Sequence, residues 1–362
     1  MNSKQRVKKT VSLEEPDRVP VDYWADKIVT EKLMSKLHID IIEDLLLYLN
    51  IDFRFIEGSI YAGPRLKVFD DGSWTDIWGV RRKKIMVDSG NPDKGSYEHV
   101  VGNPLANAEA VKDIEHYTGW PSPEWFDYTG VEKSADRYSG FSVVCGGGRL
   151  NRTAQLKTAM YLRGVEQVML DLVLNSEIVD AINERLVDFF IEYNKRIFKA
   201  AKGKIDIFFM GDDFGMQNGL IMSVEMWRRF YKLGFKKFIE LAHSYGIKVM
   251  HHTCGAIEPL IPDFIECGLD ILQSLQPRAI GMDLAKIKRE YGRYICFQGG
   301  VDIQNTMPHG TAANVEREVM DRIKTLAHGG GYILCTAHNM QADTPVDNVL
   351  AFYKAAKKYG SY

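Results

Sequence analysis

The chain has 362 residues, of which 45% are hydrophobic, and a formal net charge of −2. This composition supports a sizeable core, and the charge argues against a general nucleic-acid binder, which normally carries a basic surplus. The basic start MNSKQRVKKTV has no apolar stretch after it, and no apolar run approaches the ~20 residues that span a bilayer. We therefore expect a cytoplasmic protein with no membrane segment and no nucleic-acid partner.

The cysteines are odd in number and widely scattered. They are Cys145, Cys254, Cys267, Cys296 and Cys335. Such a set favours reduced thiols over a disulfide framework. Most free cysteines are simply small buried residues, so only their position can indicate another role.

Eight short β-rich segments recur along the chain, with helical patterns between them. They are residues 18–24, 53–58, 141–146, 205–211, 247–252, 269–275, 294–300 and 332–338. The segments after residue 200 are continuous apolar runs, as expected for parallel strands buried on both faces. Residues 223–246 are typical of the intervening helices, with Ser223 as the N-cap and Gly246 as the stop.

Strands that alternate with helices in this number predict a single (β/α)8 TIM barrel over residues 1–362. The alternative is a doubly wound open sheet, but no G-x-G-x-x-G follows the first predicted strand. Residues 59–140 depart from the repeat. Asp71-Gly72 separates two strand-like runs there, which predicts a β-hairpin. We interpret this segment as an insertion between the second and third barrel strands that covers one mouth.

Active sites of this barrel class lie at the carboxyl ends of the strands. Polar or aromatic residues occupy nearly all of those positions here. They include Trp24, Glu57, Asp212, Asp213, Gln217, Gln273, Gln298 and Asp302. Alternatives remain open for several: the two aspartates are also candidates to cap the helix near Ser223, and Asp302 follows a glycine turn in which Asp commonly bonds its own backbone.

The stretch VMHHTCGA places His252 and Cys254 two residues apart at a strand end. Residues i and i+2 of an extended segment point the same way, so imidazole and thiol can converge on one ion. A catalytic zinc typically takes three protein ligands, and the last strand offers His338 or Cys335 as the third. His251 points to the opposite side. The alternative is a set of hydrogen-bonded polar groups without a metal.

Several motifs together resemble the uroporphyrinogen decarboxylase superfamily, in the branch that includes corrinoid-dependent methyltransferases. They are EEPDRVPVDYW near the start, LRGVEQVMLDL (162–172), GDDFGMQNGLIMS (211–223), HTCGAIEPLIPDFIECGLDILQSLQP (252–277), FQGGVDIQ (297–304) and GGGYILCTAHNMQADTPVDNV (329–349). The resemblance covers almost the whole chain. It implies a (β/α)8 barrel, in agreement with the strand count.

Within that superfamily, decarboxylases carry an arginine-rich segment after the first strand that grips a polycarboxylate substrate. This chain has DYWADK there, with no arginine between Arg18 and Arg54. Glu57 approximately matches the decarboxylases' aspartate, and His338 matches their histidine. The methyltransferase branch instead holds zinc with H-x-C and a third ligand near the last strand. That pattern falls on His252 and Cys254, with His338 third and Cys335 as its substitute.

The resemblance therefore implies a zinc-assisted methyltransferase. It would exchange a methyl group between a corrinoid on a separate protein and a small substrate (a methyl ether, methanol, a methylamine or a thiol). Glu57, Asp212 and Asp213 are the expected catalytic residues. The expected substrate-binding residues are Trp24, Gln217, Gln273, Gln298 and Asp302. Two alternatives stay open: a metal-free lyase that acts on a tetrapyrrole or another acidic substrate, and a non-catalytic ligand-binding barrel.

Overall fold

A computed structural model describes residues 1–86, 95–146 and 152–362. Its strands are β1 (Phe53–Ile56), β2 (Ile60–Tyr61), β3 (Trp74–Thr75), β4 (Arg81–Met86), β5 (Ser96–Gly102), β6 (Phe126–Asp127), β7 (Ser142–Cys145), β8 (Ile207–Gly211), β9 (Gly215–Met216), β10 (Gly219–Leu220), β11 (Lys248–His252), β12 (Ile271–Leu275), β13 (Cys296–Val301) and β14 (Tyr332–Thr336). Seven of these form one parallel sheet, in the order β1-β7-β8-β11-β12-β13-β14. Helices follow its strands, so the fold is a TIM-like barrel, as predicted.

The helices are α1 (Ser3–Val11), α2 (Lys27–Leu37), α3 (Ile42–Tyr48), α4 (Val111–Glu115), α5 (Val131–Asp136), α6 (Leu156–Arg163), α7 (Val165–Leu174), α8 (Ser176–Ala201), α9 (Val224–Phe230), α10 (Lys232–Ser244), α11 (Ile261–Glu266), α12 (Leu284–Tyr291), α13 (Thr306–His309), α14 (Ala312–Leu326) and α15 (Val346–Tyr359). Within the described ranges, none combines the length and apolarity needed to cross a membrane. The helix predicted over 223–246 is in fact two, α9 and α10, because the backbone leaves helical geometry at Tyr231. Ser223 caps α9 as predicted, since its side chain accepts from Met226 N.

The first predicted strand, 18–24, is not a regular strand, and this is a correction. The segment still occupies the eighth position of the barrel, between β14 and β1. Asp22 N donates to Leu334 O (3.0 Å), and Asp52 N donates to Val21 O (3.0 Å). Pro20 directly precedes Val21 and Asp22; its carbonyl accepts from Leu334 N (2.9 Å), but it has no N–H to continue the ladder. The segment therefore closes the barrel through isolated bridges.

The barrel interior is filled by inward-facing residues that alternate along the strands. They are Phe53, Val144, Ile207, Phe209, Met250, Ile271, Cys296 and Ile333, and Val7 and Val11 of α1 pack against them. Since α1 contacts β7 and β14 and Lys4 pairs with Asp206 just before β8, this helix closes the amino-terminal end of the barrel. The carboxyl end is the one at which polar side chains gather.

The segment between β1 and β7 carries antiparallel strands in its described part. Strands β3, β4 and β5 form one small sheet, and β2 pairs with β6. The turn at Asp71-Gly72 joins chain segments that pair at Val68 and Trp74. Trp78 packs against Phe189 of α8 and lines a cleft that also includes Gly211. This places Trp78 at the carboxyl end of β8.

A buried carboxylate anchors the closing segment. Asp52 is fully buried and accepts from Arg6 (2.7 Å), from Arg18 (2.8 Å) and from the backbone N–H of Val21 (2.9 Å). One side chain therefore ties together α1, the closing segment and β1.

We predict that Asp52→Ala lowers the free energy of unfolding by about 3 kcal/mol or more, because the buried guanidinium of Arg6 loses its buried carboxylate partner and keeps only Asp17 and Met1 O. Glu240→Ala is the control, since it removes only the exposed pair with Lys236 and should cost less than about 1 kcal/mol. Urea unfolding followed by circular dichroism measures both. Equal stability of the two variants would contradict the anchoring role of Asp52.

Candidate metal centre

Three side chains with metal-binding chemistry meet at the carboxyl end of the barrel. One ligand atom each of His252, Cys254 and His338 lies within 4.8 Å of the others. His252 is the last residue of β11, and its Nε2 is 3.3 Å from Cys254 Sγ. The predicted like-facing i, i+2 pair is therefore present. Among the described residues, this is the only group of three or more His, Cys, Asp or Glu side chains that could hold an ion.

A neighbouring strand fixes the tautomer of His252. Its Nδ1 lies 2.7 Å from Gln273 Oε1, and the two residues are register partners on β11 and β12. Since an amide oxygen can only accept, Nδ1 carries the proton and Nε2 keeps its lone pair on the side of Cys254. Burial lowers the pKa of His252 well below its ordinary value, so the ring is neutral. Gln273, predicted to bind substrate, instead contacts a metal-ligand candidate.

The third position belongs to His338. It lies two residues beyond the end of β14, in the turn that follows the strand. Burial lowers the pKa of His338, which keeps its imidazole neutral as a ligand must be. Cys335, the predicted substitute, lies outside the cluster: it is buried within β14, where burial and the carboxylate of Asp22 raise its thiol pKa.

His251 faces away from the cluster, as predicted. Its ring is 4.8 Å from that of Phe235 and 5.8 Å from that of Phe214. Burial lowers the pKa of His251 to about 3, so it is a neutral packing residue between strand and helices. Two adjacent histidines therefore have entirely different surroundings, because successive strand residues point to opposite faces.

Asp213 is the charged neighbour of the cluster. Its Oδ1 lies 3.6 Å from His252 Nε2 and accepts from Cys254 N at 3.3 Å. Its other oxygen pairs with the ammonium of Lys157 at the start of α6. Burial acts to raise the pKa of Asp213, but the ammonium of Lys157, its ion-pair partner, lowers it below its ordinary value. Asp213 is therefore an ionised carboxylate close enough to contact an ion or substrate bound at the cluster.

Asp212 is turned away from Asp213 and caps a helix. Its carboxylate accepts from the backbone N–H groups of Gln155, Leu156 and Lys157, each at 2.7 Å. The capped helix is α6 rather than the predicted helix near Ser223. Burial raises the pKa of Asp212 to about 7, and the three backbone N–H groups oppose that rise. Three of its four acceptor positions are occupied, so the contacts observed for Asp212 are structural.

Two cations beside the site were not predicted from the sequence. Arg152 lies over the ring of Phe209 at 4.7 Å, and its charge lowers the pKa of both His252 and His338. Lys157 lies in the first turn of α6, where a cation opposes the helix dipole. This unfavourable placement is the feature of the sequence that could have indicated a functional role for Lys157. Phe55 faces the mouth from β1 and is 44% exposed, which marks the opening.

The remaining predicted residues are spread around the mouth. Glu57 is exposed directly after β1. Gln217 donates to Arg278 O (2.7 Å) and so joins two loops. Gln298 is buried and donates to Asp22 (2.6 Å). Burial raises the pKa of Asp22 to about 7. The structure does not place these residues against the cluster.

Asp302 and Trp24 differ in whether they contact the cluster. Asp302 accepts from Gln304 N (2.7 Å), which is the local turn contact considered for it. Trp24, in contrast, lies against the cluster, with its ring centroid 4.7 Å from that of His338. Of the predicted substrate-binding residues, therefore, Trp24 and Gln273 contact the metal-ligand candidates.

The donor set fits zinc. Two neutral imidazoles and one thiol that becomes a thiolate on coordination are ligands that zinc accepts, and a thiolate disfavours magnesium and calcium. Burial and Asp213 raise the pKa of Cys254 to about 12, so a divalent cation has to displace its proton. Three protein ligands leave a fourth position for a substrate atom or water.

Comparison with known proteins assigns the chain to a family. Residues 152–359, more than half of the chain, match the family model described as Uroporphyrinogen decarboxylase (URO-D). The chain belongs to the uroporphyrinogen decarboxylase family. A search of curated proteins gave no match.

Among solved structures, a methyltransferase from Methanosarcina mazei is similar to this family member over 99% of both chains, with a TM-score of 0.67 and 18% identity. Dispersin B is far more distant, with a TM-score of 0.40 and 10% identity over 95% of this chain and 98% of its own. At these identities the structures bear on the fold alone. The first agrees with the TIM-like barrel described above.

We predict that Cys254→Ala reduces bound zinc from about one ion per chain to nearly none, because it removes one of three protein ligands. Cys335→Ala is the matched control and should retain zinc, since Cys335 lies outside the cluster. Elemental analysis of zinc-loaded, desalted protein measures both, with circular dichroism to confirm folding. Zinc lost from Cys335→Ala and kept in Cys254→Ala would show that the ligand set is wrong.

A second prediction concerns Gln273. Gln273→Leu should weaken zinc binding about 10- to 100-fold, because Nδ1–H of His252 loses its acceptor and the ring its orientation. Gln273→Glu should restore the affinity, since a carboxylate also accepts from Nδ1–H. Competition with a chromophoric zinc chelator gives both affinities. Wild-type affinity in the leucine variant would exclude the orienting role.

Proposed function

We propose that this chain is a zinc-assisted methyltransferase that exchanges a methyl group between a small substrate and a corrinoid carried on a separate protein. The observation that carries the proposal is the cluster of His252, Cys254 and His338 at the carboxyl end of the barrel. This is the end at which barrel enzymes place their chemistry.

Zinc would be held by these three side chains and, when bound, supplies positive charge that stabilises a substrate thiolate or polarises a substrate oxygen. The chain's own groups supply the rest. Gln273 holds His252 in the tautomer that leaves Nε2 open. Asp213, paired with Lys157, presents a carboxylate beside the cluster. Asp212 contributes by fixing the start of α6, from which Lys157 extends.

The other predicted residues have proposed roles around the mouth. Glu57, exposed directly after β1, is the candidate for proton transfer to or from the substrate. Gln217 and Asp302 belong to loops after β8 and β13, where substrate contacts are expected. Gln298 is fully buried, so we assign it to holding Asp22 within the barrel.

Family membership alone does not choose between decarboxylation and methyl transfer. The sequence resemblance implies that decarboxylases of this family grip a polycarboxylate with a cluster of arginines after the first strand. The closing segment has none between Arg18 and Arg54, and it places Trp24 against the two histidines. The Methanosarcina mazei protein that shares this fold is described as a methyltransferase, and the proposal extends that activity to this chain.

The test is methyl exchange with free cobalamin. Zinc-loaded wild-type protein, cob(I)alamin and a panel of methyl ethers, methanol and methylamines are mixed, and methylcobalamin is followed by its absorbance; methylcobalamin with small thiols tests the reverse direction. We expect turnover with one substrate class. Cys254→Ala should abolish it, while Cys267→Ala, a buried cysteine outside the mouth, should not.

The opposite result is equally clear. Metal-free protein that releases carbon dioxide from uroporphyrinogen or another polycarboxylate, with no methyl exchange in either direction, would contradict the proposal and support the lyase. Binding of such substrates without turnover in any of these assays would instead support a ligand-binding barrel.

A further inference from the structure

Trp24 contacts both imidazoles of the donor cluster. Its ring stacks on that of His338, with centroids 4.7 Å apart and planes inclined by 29°. It meets the ring of His252 edge to face, at 5.2 Å and 88°. The two imidazoles are themselves 5.5 Å apart at 70°. A single indole therefore lies against both nitrogen ligands.

The two histidines are held by different means. His252 ends a regular strand, and Gln273 fixes its ring by a hydrogen bond. His338 lies beyond the end of β14, so the strand pleat does not set the direction of its side chain. What lies along the face of its ring is the indole of Trp24. Stacking on the indole limits rotation of the His338 ring about its Cβ–Cγ bond, which is the rotation that sets where the ring nitrogens point.

Trp24 is itself held on the same turn as His338. The backbone of Met340 donates to Trp24 O (2.9 Å), and Asp26 N donates to Met340 O (2.9 Å). The closing segment therefore runs alongside β14 and on past its end, paired with the turn that carries His338. Indole and imidazole are fixed on paired backbones, so their stacking is built into the barrel closure.

We propose that Trp24 is a positioning residue that holds His338 as the third metal ligand. The inference rests on the proposed metal centre and adds to it a residue that touches the ligands rather than the ion. A ligand that is already oriented loses little conformational freedom on binding, so the preorganised site binds metal more tightly. Without the indole, His338 has a wider range of orientations and competes less well with water for the ion.

The experiment uses Co²⁺ with the metal-free full chain. Trp24→Ala should weaken Co²⁺ binding about 10-fold or more, as is usual for residues that orient metal ligands. The visible spectrum of the Co²⁺-loaded variant should also change. Loss of one nitrogen ligand alters the d–d bands, while the sulfur-to-cobalt band from Cys254 remains. Trp24→Phe retains an aromatic face and should restore both the affinity and the spectrum.

Tyr23→Ala is the matched control. Tyr23 lies on the same segment but packs against Tyr353 and bonds Thr30, so its loss perturbs the segment without touching the imidazoles. We expect wild-type spectra from this variant. Wild-type affinity and spectrum in Trp24→Ala would overturn the positioning role and leave the metal centre intact. A wild-type chain that binds no Co²⁺ would overturn both proposals. If Tyr23→Ala changed the Co²⁺ affinity and spectrum as much as Trp24→Ala does, the role of Trp24 would be structural and the positioning role would be wrong.

Discussion

The hydrogen bond between His252 Nδ1 and Gln273 Oε1 is the contact on which the metal-binding geometry depends. It exists because β11 and β12 are parallel and in a register that pairs these two residues. It sends the lone pair of Nε2 towards Cys254 Sγ, 3.3 Å away, and keeps the imidazole neutral in a buried position. Without it, the ring has two tautomers and no preferred direction, and the thiol has no defined partner.

The barrel closure links this site to the rest of the fold. At one end of the closing segment, Asp52 joins Arg6, Arg18 and Val21 N beneath the barrel. At the other end, the pairing with Met340 brings Trp24 against His338. The amino-terminal segment is therefore a structural part of the mouth, although it forms no regular strand. Apolar packing by α1 closes the opposite end and leaves the carboxyl end for chemistry.

The fold and the core of the site could be predicted from the sequence because both depend on local periodicity. Continuous apolar runs predicted buried parallel strands, and the i, i+2 spacing of His252 and Cys254 predicted a shared direction. The prediction of a first strand at residues 18–24 was wrong, because Pro20 has no N–H with which to continue the hydrogen-bond ladder. Contacts that depend on the register between neighbouring strands or on loop closure could not be predicted. Gln273 was expected to meet substrate, and Asp212 was considered as a cap for α9 but caps α6. The spacing left both His338 and Cys335 open as the third ligand and only the resemblance put His338 first, since the turn after β14 decides which one reaches the cluster.

The central claim is that His252, Cys254 and His338 bind one zinc ion together. X-ray absorption spectroscopy of the zinc-loaded protein tests it most directly, because it counts ligands by element and distance. The structure predicts one sulfur at about 2.3 Å and nitrogen scatterers at about 2.0–2.1 Å with the multiple-scattering pattern of two imidazoles. A zinc shell without sulfur, or with two sulfurs, would contradict it.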